Sequence, residues 1–140
     1  MRIEGACHCG NLAFVLDTAA AREAIAPRAC DCGFCRGHGA KCWSDPAGSA
    51  RITVRDGSLL QRYRFGFETA DFLVCRRCGA YAGATVDDGA TMRATLNLRL
   101  TSLHDLSAAP VSYASETRER RIARRRERWT PAAIVIESRA

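Results

Sequence analysis

Residues 71–86 read DFLVCRRCGAYAGATV. Asp71 to Val74 is a short apolar run that leads straight into Cys75, and Ala80 to Val86 is a second run that leads away from Cys78. Between them stands Cys75-Arg76-Arg77-Cys78-Gly79, a C-x-x-C-G knuckle. Such a knuckle is a common zinc half-site: one tight turn presents two thiolates, with backbone amides available to the sulfurs. Strand-like runs on either side of a metal turn point to a mainly β domain, built from small sheets with metal knuckles between them.

The rest of the chain repeats that pattern. Asn11 to Leu16 (NLAFVL) is short, apolar and partly β-branched or aromatic, and it follows a Cys-His-Cys-Gly turn. Ala50 to Arg55 alternates, with Ile52 and Val54 on one face. Leu59 to Phe67 (LLQRYRFGF) alternates too, placing Tyr63, Phe65 and Phe67 together. Thr91 to Leu100 puts Met92, Ala94, Leu96 and Leu98 on one side, and Ile134 to Ile136 suits a closing strand. Only Ser112 to Trp129 has a helical pattern, and Thr130-Pro131 ends it. With 140 residues, no repeats and no linker-like stretch, residues 1–140 are expected to form a single domain.

Composition narrows the class. Hydrophobic residues make up 47% and charged residues 26%, which suits a globular protein and excludes a disordered one. No apolar run is long enough to cross a bilayer. MRIEGACHCG lacks the apolar core of a secretory signal, so a cytoplasmic protein is expected.

In a reducing compartment, eight regularly spaced cysteines are more often metal ligands or catalytic groups than disulfides. C-x-C and C-x-x-C pairs are also too local to staple distant elements. In Gly5-Ala6-Cys7-His8-Cys9-Gly10, glycines beside the two thiols let the backbone turn tightly. Joined to the Cys75/Cys78 knuckle, this pair makes a closed four-thiolate site, which stabilises a fold and leaves no position for substrate. Cys30-Asp31-Cys32-Gly33-Phe34-Cys35 is different: one short loop supplies three thiolates. Three protein ligands with a free fourth position is the arrangement of a catalytic zinc. Cys42 or His38 could equally complete the tetrahedron, and spacing leaves both outcomes open.

The formal charge of +6 is local. Glu116 to Arg128 (ETRERRIARRRER) holds seven arginines against three glutamates, and the remainder of the chain is nearly balanced. Binding two Zn²⁺ through seven thiolates would lower the total to about +3. The basic balance therefore carries little information about nucleic acid.

Taken in order, Gly5-x-Cys7-His8-Cys9-Gly10, Cys30-x-Cys32-x-x-Cys35-Arg36-x-x-Gly39-Ala40 and Cys75-x-x-Cys78-Gly79 resemble the glutathione-dependent formaldehyde-activating enzyme family, which also includes centromere protein V. The likeness spans residues 5–79 and weakens after residue 80, where Leu96-Asn97-Leu98-Arg99 is its main support. Gly37 stands where many relatives have Lys or Arg, and Cys42 is additional. The resemblance implies an Mss4-like arrangement of several small coiled β-sheets. It also implies two zinc ions per chain, with Cys7, Cys9, Cys75 and Cys78 holding a structural one and Cys30, Cys32 and Cys35 a catalytic one. The implied activity is carbon–sulfur lyase chemistry, joining glutathione to formaldehyde as S-(hydroxymethyl)glutathione.

On that reading His38, three residues past Cys35, is the nearby side chain that titrates in the range needed for acid–base work. Arg36, with Arg76 and Arg77, is a candidate partner for glutathione carboxylates. Each of these residues also has a plain reading as solvated surface. The competing function is a non-catalytic zinc-stabilised binding module that holds nucleic acid through Arg118 to Arg128. Glu119 and Glu127 interrupt that run and no aromatic ladder accompanies it, so a solvated helix face is the simpler expectation.

Overall fold

The computed structural model describes residues 1–138. Among these residues eleven strands and two α-helices follow one another: β1 (Arg2–Ala6), β2 (Leu12–Asp17), β3 (Arg28–Cys30), α1 (Gly33–His38), β4 (Cys42–Trp43), β5 (Ser49–Asp56), β6 (Leu60–Tyr63), β7 (Asp71–Cys75), β8 (Tyr81–Asp87), β9 (Met92–Asn97), β10 (Ala109–Val111), α2 (Arg118–Arg128) and β11 (Thr130–Ser138). The fold is mainly β, with its one long helix near the C-terminus.

The small sheets expected from the sequence are joined into one mixed network. Strands run in the order β1-β2-β5-β11-β9-β4-β3-β10, and β8, β7 and β6 branch off β9. The joint is β11. Thr130 and Pro131 pair antiparallel with β9, while Ala132 to Ser138 pair parallel with β5. Pro131 lacks an N–H, and near the start of a strand that loss costs the ladder little.

Local chemistry explains the elements. In β2, Leu12, Phe14 and Leu16 are buried and alternate with half-buried neighbours, the period of a one-sided strand. They pack with Ile3, Ile52, Val54, Leu96 and Leu98 in the larger of two apolar clusters. Around the smaller cluster gather Cys35, Cys42, Phe72, Tyr81, Ala84 and Trp129. Strand β8 is buried on both faces from Tyr81 to Thr85. At Gly83 a Cβ would stand 2.4 Å from the Thr95 carbonyl oxygen, so β8 and β9 touch there only because glycine has none.

Three expected boundaries move, each for a visible reason. The alternating stretch 59–67 is a strand only to Tyr63. Gly66 (φ 62°) and Glu68 (φ 55°) then turn the chain, and Arg64 fastens the turn through Asp71 (2.7 Å) and the Glu68 carbonyl (3.1 Å). Strand β9 stops at Asn97, whose side-chain oxygen accepts the Arg99 N–H and tightens Leu98–Leu100 into a 3-10 turn. The helix expected from Ser112 begins at Arg118, where the Thr117 hydroxyl accepts the Arg120 N–H at 3.2 Å as an N-cap. No helix among the described residues is long and apolar enough to cross a membrane.

Candidate metal centres and the cavity beside one of them

The first centre is built by two similar turns. After β1, the Cys7 carbonyl accepts the Gly10 N–H at 2.9 Å, with Gly10 at φ 83°. After β7, the Cys75 carbonyl accepts the Gly79 N–H at 2.8 Å, with Gly79 at φ 79°. These left-handed glycines return each chain to the next strand while the thiols converge. The sulfurs of Cys7, Cys9, Cys75 and Cys78 all lie within 4.8 Å of one another. Cys9 Sγ is 3.5 Å from Cys75 Sγ and 3.8 Å from Cys7 Sγ, too far apart for disulfides. Tetrahedral zinc with bonds of about 2.3 Å sets its sulfurs about 3.8 Å apart, so this donor set fits the metal.

Protons and charge agree with that fit. Burial pushes the Cys7 thiol up to about 12. Burial also opposes ionisation of Cys78, but backbone amides, those of Cys9 and Ala80 first, outweigh it and bring that thiol down to about 6. The Leu12 N–H donates to Cys7 Sγ at 3.2 Å. Four thiolates this close need a cation among them to be charged together.

The second centre opens helix α1. Cys32 is its N-cap, with Sγ accepting the Cys35 N–H at 3.4 Å, and Gly39 ends it in the left-handed conformation (φ 59°). That short helix, unforeseen in the sequence, folds the C-x-C-x-x-C loop so that Cys30, Cys32 and Cys35 place their sulfurs within 4.8 Å of one another. The hydrogen bond with Cys35 holds Cys30 down to about 5, while the same bond and burial drive Cys35 far up. One negative charge is easily held here, and three require a metal.

Neither Cys42 nor His38 joins this group. Cys42 is buried and directs its S–H to the Tyr81 hydroxyl at 3.8 Å, and burial raises its thiol to about 11. His38 is exposed, with Nδ1 2.9 Å from the Phe34 carbonyl oxygen and its ring 4.4 Å from that of Phe34. The three-sulfur group therefore keeps a free side.

On that side lies a cavity of about 320 Å³. Cys30, Cys32 and Cys35 are among its walls, with Phe65, Phe72, Tyr81 and Trp129 as its apolar part and Arg28, Arg121, Arg124 and Arg125, against the single acid Asp31, as its charges. His38 and Arg36 are not among them. Arg36 is exposed and spends an N–H on the Asp31 carbonyl at 3.0 Å, while Arg76 and Arg77 are exposed on the other knuckle. The sequence reading missed Tyr81, Arg28 and the inward face of α2. A signal was present for the helix: aromatic Tyr113 and Trp129 bracket the basic run, and arginines stack on both.

Burial holds the Tyr81 phenol well above its ordinary value, so it keeps its proton. Its strand is locked from behind, since Asn97 Nδ2 donates to the Tyr81 carbonyl at 2.8 Å.

The chain matches no protein-family model and no curated protein. Among solved structures it is similar to a Rhodobacter sphaeroides protein studied by crystallography as a structural genomics target. The two share 29% identity and a TM-score of 0.55, over 76% of this chain and 97% of the other. That likeness supports the architecture described above.

Proposed function

We propose that this chain is a zinc-dependent enzyme that forms and cleaves carbon–sulfur adducts between a thiol and an aldehyde. Glutathione and formaldehyde are the pair suggested by the motif resemblance. The observation that carries the reading is the three-cysteine group with its free side on a cavity, beside a separate four-cysteine group that is closed. Zinc held by Cys30, Cys32 and Cys35 would favour the thiolate form of a substrate thiol near neutral pH.

The chain's own residues do the rest. The aromatic walls make the cavity lining mostly apolar, which strengthens polar contacts inside it. In the adduct-forming direction a sulfur lone pair makes the new C–S bond, and the carbonyl π pair moves onto oxygen. That oxygen takes a proton, so the proton lost by the thiol ends on the product hydroxyl and nothing is oxidised or reduced. Tyr81, which keeps its proton and stands on the cavity wall, is favoured over His38 as the hydrogen-bond donor to that developing oxyanion, while the proton released by the thiol reaches the oxygen through solvent.

The test is zinc content together with exchange NMR on ¹³C-formaldehyde and glutathione, for wild type and Cys32→Ser. Two zinc ions per chain falling to one, with adduct exchange accelerated only by wild type, is the expected result. One zinc in both proteins, or equal exchange rates, would sink the reading. The binding-module alternative rests on Arg118, Arg120, Arg126 and Arg128, the arginines of α2 that remain exposed. A DNA mobility-shift titration across salt concentrations decides it, because phosphate contacts weaken steeply as salt rises.

A further inference from the structure

Helix α2 is more than a solvated face. Three of its arginines, Arg121, Arg124 and Arg125, join Arg28 from β3 in the cavity wall. Two of the four are already answered. The Glu116 carboxylate accepts from Arg121 Nε at 3.0 Å and from Arg124 Nε and Nη2 at 2.7 and 3.0 Å. Arg124 also lies over the Tyr113 ring at 3.6 Å.

The other two have no acid within ion-pair distance, although Asp31 shares the cavity wall and Glu116 lies near enough to Arg125 to act on its charge. Arg28 Nη2 reaches only hydroxyls, Thr95 Oγ1 at 3.1 Å and Ser44 Oγ at 3.3 Å. Arg125 Nη1 donates to Thr69 Oγ1 at 3.1 Å, and its guanidinium stands 5.0 Å from the Trp129 ring. The Nε of Arg125 is shut off from solvent and has no hydrogen-bond partner. Among the described residues neither arginine forms an ion pair. Burial, with Arg124 and Arg121 nearby, lowers Arg125 only to about 10, so it stays charged at neutral pH. Arg125 lines the cavity with a charged guanidinium whose donors the fold does not fully use, and a turn of that group towards the cavity would let an oxyanion satisfy them.

We propose that Arg125 and Arg28 form a carboxylate subsite in this cavity, through which α2 selects a thiol that also carries an acid. The planar guanidinium fork suits a carboxylate, and the mostly apolar walls strengthen the pairing by lowering the local polarity. The thiol half of this statement rests on the function proposed above, whereas the anion half stands on the arginines alone.

Calorimetric titration of zinc-loaded protein separates the halves, using 3-mercaptopropionate, 2-mercaptoethanol and propionate. Wild type is expected to bind 3-mercaptopropionate at least tenfold more tightly than 2-mercaptoethanol. Arg125→Gln brings that ratio within twofold without weakening 2-mercaptoethanol, and Arg28→Gln serves the same purpose if the first variant does not fold. The control Arg120→Gln, an exposed position on the same helix, retains the wild-type ratio. Equal affinities in wild type, or a ratio that survives both substitutions, overturns the proposal. Propionate that binds both wild type and Cys32→Ser but not Arg125→Gln upholds the subsite even where the thiol reading fails.

Discussion

At the scale of single residues, Tyr81 and Cys42 show how burial decides chemistry. Both are buried side by side next to the three-cysteine group, yet neither is a ligand of it. Burial favours the protonated form of each, which makes Cys42 a packing residue and Tyr81 a donor. Replacing Tyr81 by Phe removes one oxygen and keeps the ring contacts with Phe34 and Phe72. We expect Tyr81→Phe to retain two zinc ions and lose about 10²-fold or more of its adduct exchange rate, the scale of a lost oxyanion hydrogen bond. Zinc analysis and exchange NMR on one sample check this, and an unchanged rate would remove Tyr81 from the mechanism. His38→Ala is expected to leave the rate within about twofold, since that ring lies outside the cavity wall.

At the scale of elements, α2 is anchored by a carboxylate that precedes it. Glu116 is largely buried between Arg121 and Arg124. Their hydrogen bonds, that of Arg124 first, hold its carboxyl below the ordinary 4.5 despite burial. A carboxylate with a depressed folded pKa contributes stability that is present above the unfolded value and lost as pH falls through the folded one. Wild type should therefore be more stable than Glu116→Gln near pH 7, and the gap should close as pH falls below 4.5. Paired thermal melts measure the difference, in which acid effects on the cysteines cancel. The β8–β9 contact makes a second element-scale prediction. Gly83→Ala drives a methyl into backbone rather than into a flexible side chain, and a loss of about 1–3 kcal/mol is expected in denaturant titrations.

For the whole molecule, the two candidate metal centres sit in different cores. Cys7 and Cys75 belong to the larger apolar cluster, whereas Cys35 belongs to the smaller one at the cavity. Losing the first centre should therefore unfold the domain, and losing the second should leave it folded. We expect Cys75→Ser to be recovered unfolded or insoluble, while Cys32→Ser keeps a cooperative melt. A chelator titration of wild type should show the same order, one zinc leaving without loss of circular dichroism and the second leaving with it. Simultaneous loss of both ions and of structure would show that the centres are not independent.

How much of this was legible in the chain follows from the range of each interaction. The metal turns could be read because C-x-C and C-x-x-C ligands lie within one turn of backbone, where spacing and glycine dictate geometry. The strands beside them could be read because apolar alternation reports one buried face. Their ends were less legible, since the Asn97 and Thr117 caps and the Glu68 turn depend on single side-chain hydrogen bonds. The motif order carried the pairing of Cys7 and Cys9 with Cys75 and Cys78, but the sequence alone could not say whether the Cys30 group is closed. Only the tertiary structure decided that, by burying Cys42 against Tyr81 and turning His38 outward. It also decided the meaning of the arginine run, because a helix pattern does not show which face meets a cavity formed by β3, α1 and β8. Local chemistry belongs to the sequence, and the charge lining a cavity belongs to elements far apart along the chain that only packing brings together.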